Sequence, residues 1–232
     1  MTQVKAELLD YMGTDLDVVN AAKVSFSKES EWEWQTEYEC GVPVSDTPIL
    51  ADKDKKLINY LATHDHWTPF AHTALKFRCS APVPIRTQAF KHKIGMVENE
   101  ESRRYISSTP EIYVPEFFRA KPEGSIKQGS AGEHPRSDEF LQRYKEKTEE
   151  CVGLYLTMLN GGICPEQARF ILPQGAIVNW IWTGNLVSFA NFYNKRTDTN
   201  AQYEVRLLAE SVGKQIAEIF PVSWKALVGG GK

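Results

Sequence analysis

The sequence lacks the features that mark membrane, secreted and nucleic-acid-binding proteins. No apolar run approaches the roughly 20 residues needed to span a bilayer, and the start, MTQVKAELLDYMG, lacks the basic and then apolar pattern of a signal peptide. Lys and Arg number 27 against 30 Asp and Glu, a formal charge of -3, so the overall field does not favour nucleic acid or an anionic membrane as a partner. We therefore expect a cytoplasmic protein with neither partner.

Motifs of several large enzyme classes are also absent. There is no GxSxG, no Walker A loop and no GxGxxG after a strand, so hydrolase, P-loop and Rossmann sites have no support. The four cysteines form no CxxC pair, which argues against zinc and predicts free thiols, mostly in the core. They are Cys40, Cys79, Cys151 and Cys164. Cys79 falls on the apolar face of a predicted strand and is expected to be inert.

Regular elements follow one another along the 232 residues without a low-complexity linker, which predicts one domain over residues 1–232. The apolar spacing predicts strands in ALKFRCSAP and AIVNWIWTG. It predicts helices in DKDKKLINYLATHD, in RTQAFKHKIG, from an N-cap at Ser137 to Gly161, in NLVSFANFYNKR, and in NAQYEVRLLAESVGKQIAEIF, which Pro221 closes. MVENEESRRY is predicted as loop or turn, and residues 119–136 as a mobile loop. So few, unevenly spaced strands favour the α+β class.

The segment KHKIGMVENEESRRY, residues 91 to 105, is the first candidate site. Its four cations, Lys91, Lys93, Arg103 and Arg104, are enough to hold one or two phosphate groups if they converge. One alternative is a solvated surface whose glutamates neutralise the cations. Another is a nucleic-acid-binding module, in which this basic segment holds phosphates and aromatic residues stack on the bases.

Further polar residues lie in apolar surroundings near the C-terminal half. Two of them are Arg169 and Arg196. Arginine is rarely buried without a partner, so each should face an anion or a carboxylate. Asn191 and Asn194 fall on one helix face, with Asn185 further back, and amides can read the edge of a nitrogen heterocycle, although capping is their commoner role. His66 and His72 have the wrong spacing and surroundings for a metal, so we predict no metal site.

Five blocks in order resemble the flavin-dependent thymidylate synthases: AAKVSF, HWTPFAH, QAFKHKIGMVENEESRRY, RFILP and NFYNKRTDTNAQYE. The resemblance runs from about Ala21 to Glu204. It implies an α+β fold with a central, mostly antiparallel sheet flanked by helices, and a homotetramer with FAD at subunit interfaces. It also implies conversion of dUMP to dTMP with methylenetetrahydrofolate as one-carbon donor and NADPH as reductant.

The family signature, RHRxxSxNxxSxRY, is altered in this chain. Lysines replace both outer arginines around His92, Met96 lies near the place of the middle serine, and one additional residue precedes Asn99. Ala71 stands where the family often has glutamate, and Val187 where it often has arginine. A flavin-binding homologue without synthase activity is therefore a further alternative.

By resemblance, the site residues form two sets. The FAD would contact Ser25, His66, Thr68, Lys91, His92, Lys93, Asn185 and Asn191. The nucleotide would contact Gln88, Lys91, Glu100, Ser102, Arg103, Arg104, Arg169 and Arg196. His66 would also help to stack the folate. The resemblance makes Arg196 the catalytic residue that activates the pyrimidine, with no enzyme nucleophile.

Overall fold

A four-stranded antiparallel sheet forms the centre of the fold. The computed structural model describes residues 4–40, 42–123 and 129–229. The strand order is β1 (Lys5–Met12), β4 (Ala74–Pro82), β6 (Ile177–Gly184) and β5 (Met96–Glu100). Each neighbouring pair is antiparallel, with Leu75 opposite Gly184 and Met96 opposite the same residue on the other side. The predicted α+β class and antiparallel sheet are confirmed.

The helices flank this sheet, and some of them complete the core. They are α1 (Asp15–Lys23), α2 (Asp52–Thr63), α3 (Thr68–Ala71), α4 (Val83–Ala89), α5 (Ser137–Asn160), α6 (Pro165–Ala168), α7 (Leu186–Arg196), α8 (Tyr203–Ile219) and α9 (Pro221–Val228). Phe77 of β4, Trp182 of β6 and Phe189 of α7 lie in one fully buried aromatic cluster. Residues 24–26 and 169–171 form single 3₁₀ turns.

Both predicted central strands are confirmed, because their sequences carry the signal of burial. In β4, Leu75, Phe77 and Cys79 are fully buried while Lys76 and Arg78 are exposed, which is the period-two alternation of a strand. Burial strongly raises the pKa of the Cys79 thiol, as expected for an inert cysteine.

Several local predictions were wrong. Residues 96–100 form strand β5 rather than a loop. Ser137 is the first residue of α5 and not its N-cap, which is Arg136; the Ser137 Oγ accepts a hydrogen bond from the Phe118 backbone at 2.8 Å instead of capping the helix. The short helix predicted at RTQAFKHKIG is α4, which ends at Ala89. Helix α8 ends at Ile219, just before Pro221 as predicted, but a further helix that was not predicted, α9, begins at Pro221.

Two further differences concern the surface. Of the four cysteines only Cys79 is buried, so the prediction that most lie in the core was wrong. A second sheet that the sequence patterns did not reveal pairs β2 (Glu33–Glu39) with β3 (Val42–Ile49) as a two-stranded hairpin. Within the described residues, no helix has the length and apolar character needed to cross a membrane. The centre of the predicted loop at 119–136 lies outside those residues.

Candidate functional site

The first part of the candidate segment, residues 91–95, is a turn between the short helix α4 and the edge strand β5. Helix α4 begins at Val83, with Pro82 as its N-cap and Pro84 in its first turn. A proline fits in the first turn because its missing N–H would have no partner within the helix. After α4 ends, Lys91 and Lys93 lie exposed on the turn and His92 is half-buried. Lys93 is paired with Glu98 of β5 in this structure. The turn therefore exposes its two lysines to solvent and packs the His92 imidazole onto the rest of the protein.

Gly95 lets this turn close against the start of α7. It has a left-handed φ of 68°, and an added Cβ would collide with Ser188 Oγ and lie 2.9 Å from Asn185 Nδ2. Asn185 is the N-cap of α7, and its side chain accepts a hydrogen bond from the Ser188 backbone at 2.9 Å. The predicted cofactor residue Asn185 thus lies beside the turn that holds Lys91, His92 and Lys93, whereas Asn191 is exposed further along α7.

The other end of α7 contacts the same turn. The Nε of Arg196, the last residue of α7, donates a hydrogen bond to His92 Nε2 at 3.0 Å. The His92 ring packs edge-on against Phe192, with centroids 5.0 Å apart. Burial, with the charges of Arg196 and Lys195, lowers the pKa of His92 to about 4. His92 is therefore neutral at physiological pH and accepts through Nε2, so its proton is on Nδ1.

Arg196 also lines a cavity with a volume of about 840 Å³. Gln88 of α4 faces this cavity too, so the structure brings together two predicted nucleotide residues that are far apart in sequence. The residues that complete the lining were, except for Asn194, not singled out by the sequence patterns: Arg119, Gly129, Ser130, Asn194, Lys195, Asp198, Asn200, Ala201 and Gln202. Of these, Asn194 was noted only as an amide on one face of α7, and its Nδ2 donates to the Leu227 carbonyl at 3.0 Å.

A second group of predicted nucleotide residues surrounds the end of β5. Glu100 forms an ion pair of 3.0 Å with Arg86, a residue that sequence reasoning missed. Burial raises the pKa of Glu100, and the positive charges of Arg86 and Arg169 oppose that shift. Arg169, on the 3₁₀ turn after α6, thus lies within electrostatic reach of Glu100.

The remaining predicted nucleotide residues form a turn after β5. Ser102 Oγ accepts from the Arg104 backbone at 3.3 Å, Arg103 donates to the Ser108 carbonyl, and Arg104 Nε donates to Glu166 at 2.6 Å. Both arginines therefore already have protein partners. An incoming phosphate would compete with the Glu166 carboxylate for Arg104.

The predicted residues Ser25, His66 and Thr68 lie on neighbouring elements and are all exposed. His66 belongs to a cluster of rings in which its centroid lies 6.0 Å from Tyr60 and 6.4 Å from His64. Just beyond α3, the Thr73 Oγ accepts from the Leu186 backbone at 3.0 Å, which joins this region to the start of α7. Ser25 is on the 3₁₀ turn after α1, a helix that packs on α3. No direct hydrogen bond links Ser25 to the other predicted residues among the described parts of the chain.

Comparisons with known proteins agree on one family. A family model described as "Thymidylate synthase complementing protein" matches residues 7–222. The flavin-dependent thymidylate synthase of Kosmotoga olearia is 34% identical over 223 residues, 95% of this chain and 88% of that protein. Its counterpart in Thermotoga neapolitana is 31% identical over 222 residues, covering 96% and 89%. The solved structure of the UMP/dUMP methylase PolB from Streptomyces cacaoi, bound with 5-Br dUMP, is similar with a TM-score of 0.81 and 25% identity, covering 98% of this chain and 96% of that one.

Proposed function

The chain belongs to the flavin-dependent thymidylate synthase family, and we propose that it methylates dUMP to dTMP with bound FAD. The observation that carries this proposal is the bond between Arg196 and His92 at the edge of a cavity of about 840 Å³. That bond occupies the Nε of Arg196 and leaves its two terminal nitrogens for a ligand. A pyrimidine with its C4 oxygen near them would develop negative charge against a fixed cation.

This arrangement explains how a weak nucleophile can react without an enzyme nucleophile. The C5 carbon of uracil becomes nucleophilic when negative charge builds on the ring, and a guanidinium already held in place needs little reorganisation to stabilise that charge. A neutral His92 adds no second positive charge beside Arg196, and its acceptor nitrogen fixes the guanidinium plane. Gln88, Lys91, Glu100, Ser102, Arg103, Arg104 and Arg169 would bind the rest of the nucleotide.

The donor set near the turn fits FAD in its chemistry. Two lysine ammonium groups, at Lys91 and Lys93, and the amide of Asn185 beside them suit a pyrophosphate and a heterocycle edge, and Asn191, exposed further along α7, would add a second amide. Apolar Ile94 is 92% exposed on the same turn and would cover a ring. When bound, FAD supplies the hydride chemistry of the reaction. His92, Ser25, Thr68 and His66 would complete its surroundings.

The cosubstrates follow from the same proposal. Methylenetetrahydrofolate would supply the one-carbon unit and NADPH the reducing equivalents. The ring cluster of His66, His64 and Tyr60 is exposed, so it offers flat faces on which the pterin of the folate would stack. The protein groups orient the partners and exclude water, while the redox chemistry belongs to the cofactor.

We also propose that the enzyme is a cytoplasmic homotetramer. Large apolar side chains remain exposed around the candidate site: Phe26 is 75% exposed, Phe170 78% and Tyr105 79%. Exposed apolar surface of this kind marks interfaces. Burial against further copies would also shield a flavin bound at the turn from solvent.

A spectroscopic titration tests the proposal. The purified protein is titrated with FAD and then with dUMP while the visible absorption spectrum is followed. The proposal predicts bound flavin whose spectrum shifts when dUMP is added, because the two sites adjoin. Failure to bind flavin at any practical concentration would contradict it. Flavin and nucleotide binding without dTMP formation would instead identify a homologue that has lost the synthase activity.

A further inference from the structure

The hairpin of β2 and β3 buries almost none of its surface within its own chain. Of the residues in the two strands, Thr36 and Ile49 are half-buried and the others are exposed. The chain just before β2 is nevertheless held firmly, because Asn20 of α1 and Ser30 exchange two hydrogen bonds of 2.7 and 3.1 Å. Lys23 of α1 also donates to the Ser30 hydroxyl. The hairpin is therefore fixed at its root while both of its faces remain open.

The hairpin also carries a concentrated negative charge. The stretch from Glu29 to Asp52 contains seven acidic residues and no basic one. Without these seven charges the formal charge of -3 becomes +4, so the rest of the chain is cationic. Two hairpins repel each other, whereas a hairpin and the rest of a second copy attract each other. The charge distribution thus favours contact between the hairpin of one copy and the remainder of another.

One face of the hairpin combines two aromatic rings with a carboxylate. Trp34, Thr36 and Tyr38 alternate along β2 and lie on one face, and Asp46 of β3 is directly opposite Thr36. Trp34 and Tyr38 are 65% and 67% exposed. A carboxylate pairs with a cationic side chain, and the faces of Trp and Tyr rings attract the same group. We call Trp34, Asp46 and Tyr38 the docking face.

The edge of the hairpin is less suited to a partner than its face. Pro43 and Pro48 both lie in β3 and have no N–H to donate. Prolines on an edge strand discourage the addition of a further strand. Contact through side chains of the docking face is therefore favoured over strand pairing.

The turn after α4 offers the complementary surface. Lys91 is exposed, and among the described residues neither Lys91 nor Asp46 forms an ion pair. Ile94, three residues on, is 92% exposed, the highest value for a large apolar side chain in the described parts of the chain. The turn thus presents a cation and an apolar side chain close together, as the docking face requires.

We infer that the docking face of one copy binds the turn at Lys91–Ile94 of a second copy, with Lys91 at Asp46 and Ile94 against the aromatic rings. This inference rests on the proposed function, because the assembly of several copies is part of it. The Lys91 ammonium has three donors, so it can meet Asp46 and a flavin phosphate at once. The docked hairpin covers the turn from the solvent side.

Cross-linking from a natural cysteine tests which surfaces meet. Cys40 is exposed directly after β2, and Cys164→Ser removes the other exposed thiol. A linker that joins a thiol to an amine is added to the FAD-loaded protein, and linked pairs of chains are separated on a denaturing gel and mapped by mass spectrometry. We expect Cys40 of one chain joined to Lys91 or Lys93 of another. Links within one chain only, or to lysines elsewhere on the second chain, would overturn the inference.

A charge exchange tests the pairing of Asp46 with Lys91. Asp46→Lys should lower the yield of the link from Cys40 to Lys93 about tenfold or more, the scale of one hydrogen bond to a charged group. Adding Lys91→Asp to Asp46→Lys should restore most of that yield. Glu149→Lys, the same charge change at an exposed site on α5, serves as the control and should leave the yield unchanged. An unchanged yield in Asp46→Lys would contradict the pairing.

Sedimentation separates this inference from the proposed assembly. A wild-type protein that sediments as one chain would overturn the assembly, and the docking of the hairpin with it. An assembled protein in which Cys40 links only within its own chain would overturn the docking alone. An assembled protein that forms the expected link between chains supports both.

Discussion

The bond between Arg196 and His92 joins residues 104 positions apart in the chain. Sequence reasoning singled out each of them, but for separate tasks, and found no partner for the arginine. The pairing depends on where α7 ends relative to the turn after α4, which no local pattern encodes. The same holds for Arg86 opposite Glu100, because an arginine in a short helix gives no sign of the carboxylate that it meets.

The lowered pKa of His92 predicts a pH dependence of stability. The unfolded chain binds a proton at His92 near pH 6.5, whereas the folded protein does so only near pH 4. Between these values the unfolded state holds more protons, so stability falls as the pH is lowered and is unaffected by this group above about pH 7. From pH 7 to pH 5 the loss due to His92 is at most about 2 kcal/mol.

Urea unfolding at both pH values measures this contribution. His92→Gln keeps an acceptor for Arg196 but cannot titrate, so the difference between pH 7 and pH 5 should shrink by that amount. His72→Gln, an exposed histidine after α3, serves as the control and should keep the wild-type difference. An unchanged difference in His92→Gln would show that His92 is not held in its neutral form.

At the scale of elements, the sequence predicted those whose buried face is apolar. Strand β4 and helix α7 have regular apolar spacing, and both formed as expected. Strand β5 was missed because the side chains facing inward along with Met96 are Glu98 and Glu100. Their charges are met by Lys93 and Arg86, so ion pairs replace apolar contacts in this edge strand. A pattern method based on hydrophobicity has no signal for such a strand.

The turn before β5 provides a test at the same scale. Gly95→Ala should destabilise the protein in two ways, through a left-handed φ of 68° and through collision with Ser188. Gly162, after α5, has a φ of 84° with no atom within 4 Å of an added Cβ, so Gly162→Ala carries the backbone strain alone. Each strained residue costs of order 1–3 kcal/mol.

Denaturant unfolding of the two variants isolates the packing against α7. Gly95→Ala should lose at least about 1 kcal/mol more than Gly162→Ala, in the range of overpacking costs. Equal losses would mean that the turn does not rest on the start of α7 and that Asn185 is not held beside Lys91–Lys93.

At the scale of the whole molecule, the sequence predicted the fold class and the family but not which apolar side chains remain exposed on the surface. The hairpin of β2 and β3 exposes Trp34 and Tyr38 at 65% and 67%. A two-stranded hairpin is at best marginally stable by itself in water. Its alternation is obscured by prolines, Pro43 and Pro48, which discourage the prediction of a strand. In the proposed assembly such surfaces would meet other chains, so one sequence read alone does not reveal their partners.

The proposed assembly makes its own prediction. Wild-type protein should sediment at about four times the mass of one chain. Phe26→Asp combined with Phe170→Asp places two charges on side chains that are 75% and 78% exposed, so it should reduce the mass without unfolding each chain. Sedimentation velocity measures both, with Gln142→Asp on α5 as the control. A wild-type protein that sediments as one chain would contradict the assembly.

The most direct measurement of the central claim is dTMP formation by the wild-type protein and by Arg196→Ala. Each is supplied with FAD, dUMP, methylenetetrahydrofolate and NADPH, and the nucleotides are separated by chromatography. The account predicts repeated turnover by the wild type. It predicts at least about a hundredfold loss in Arg196→Ala, the scale of removing one preorganised donor, with the flavin still bound. Full turnover by Arg196→Ala would contradict the account.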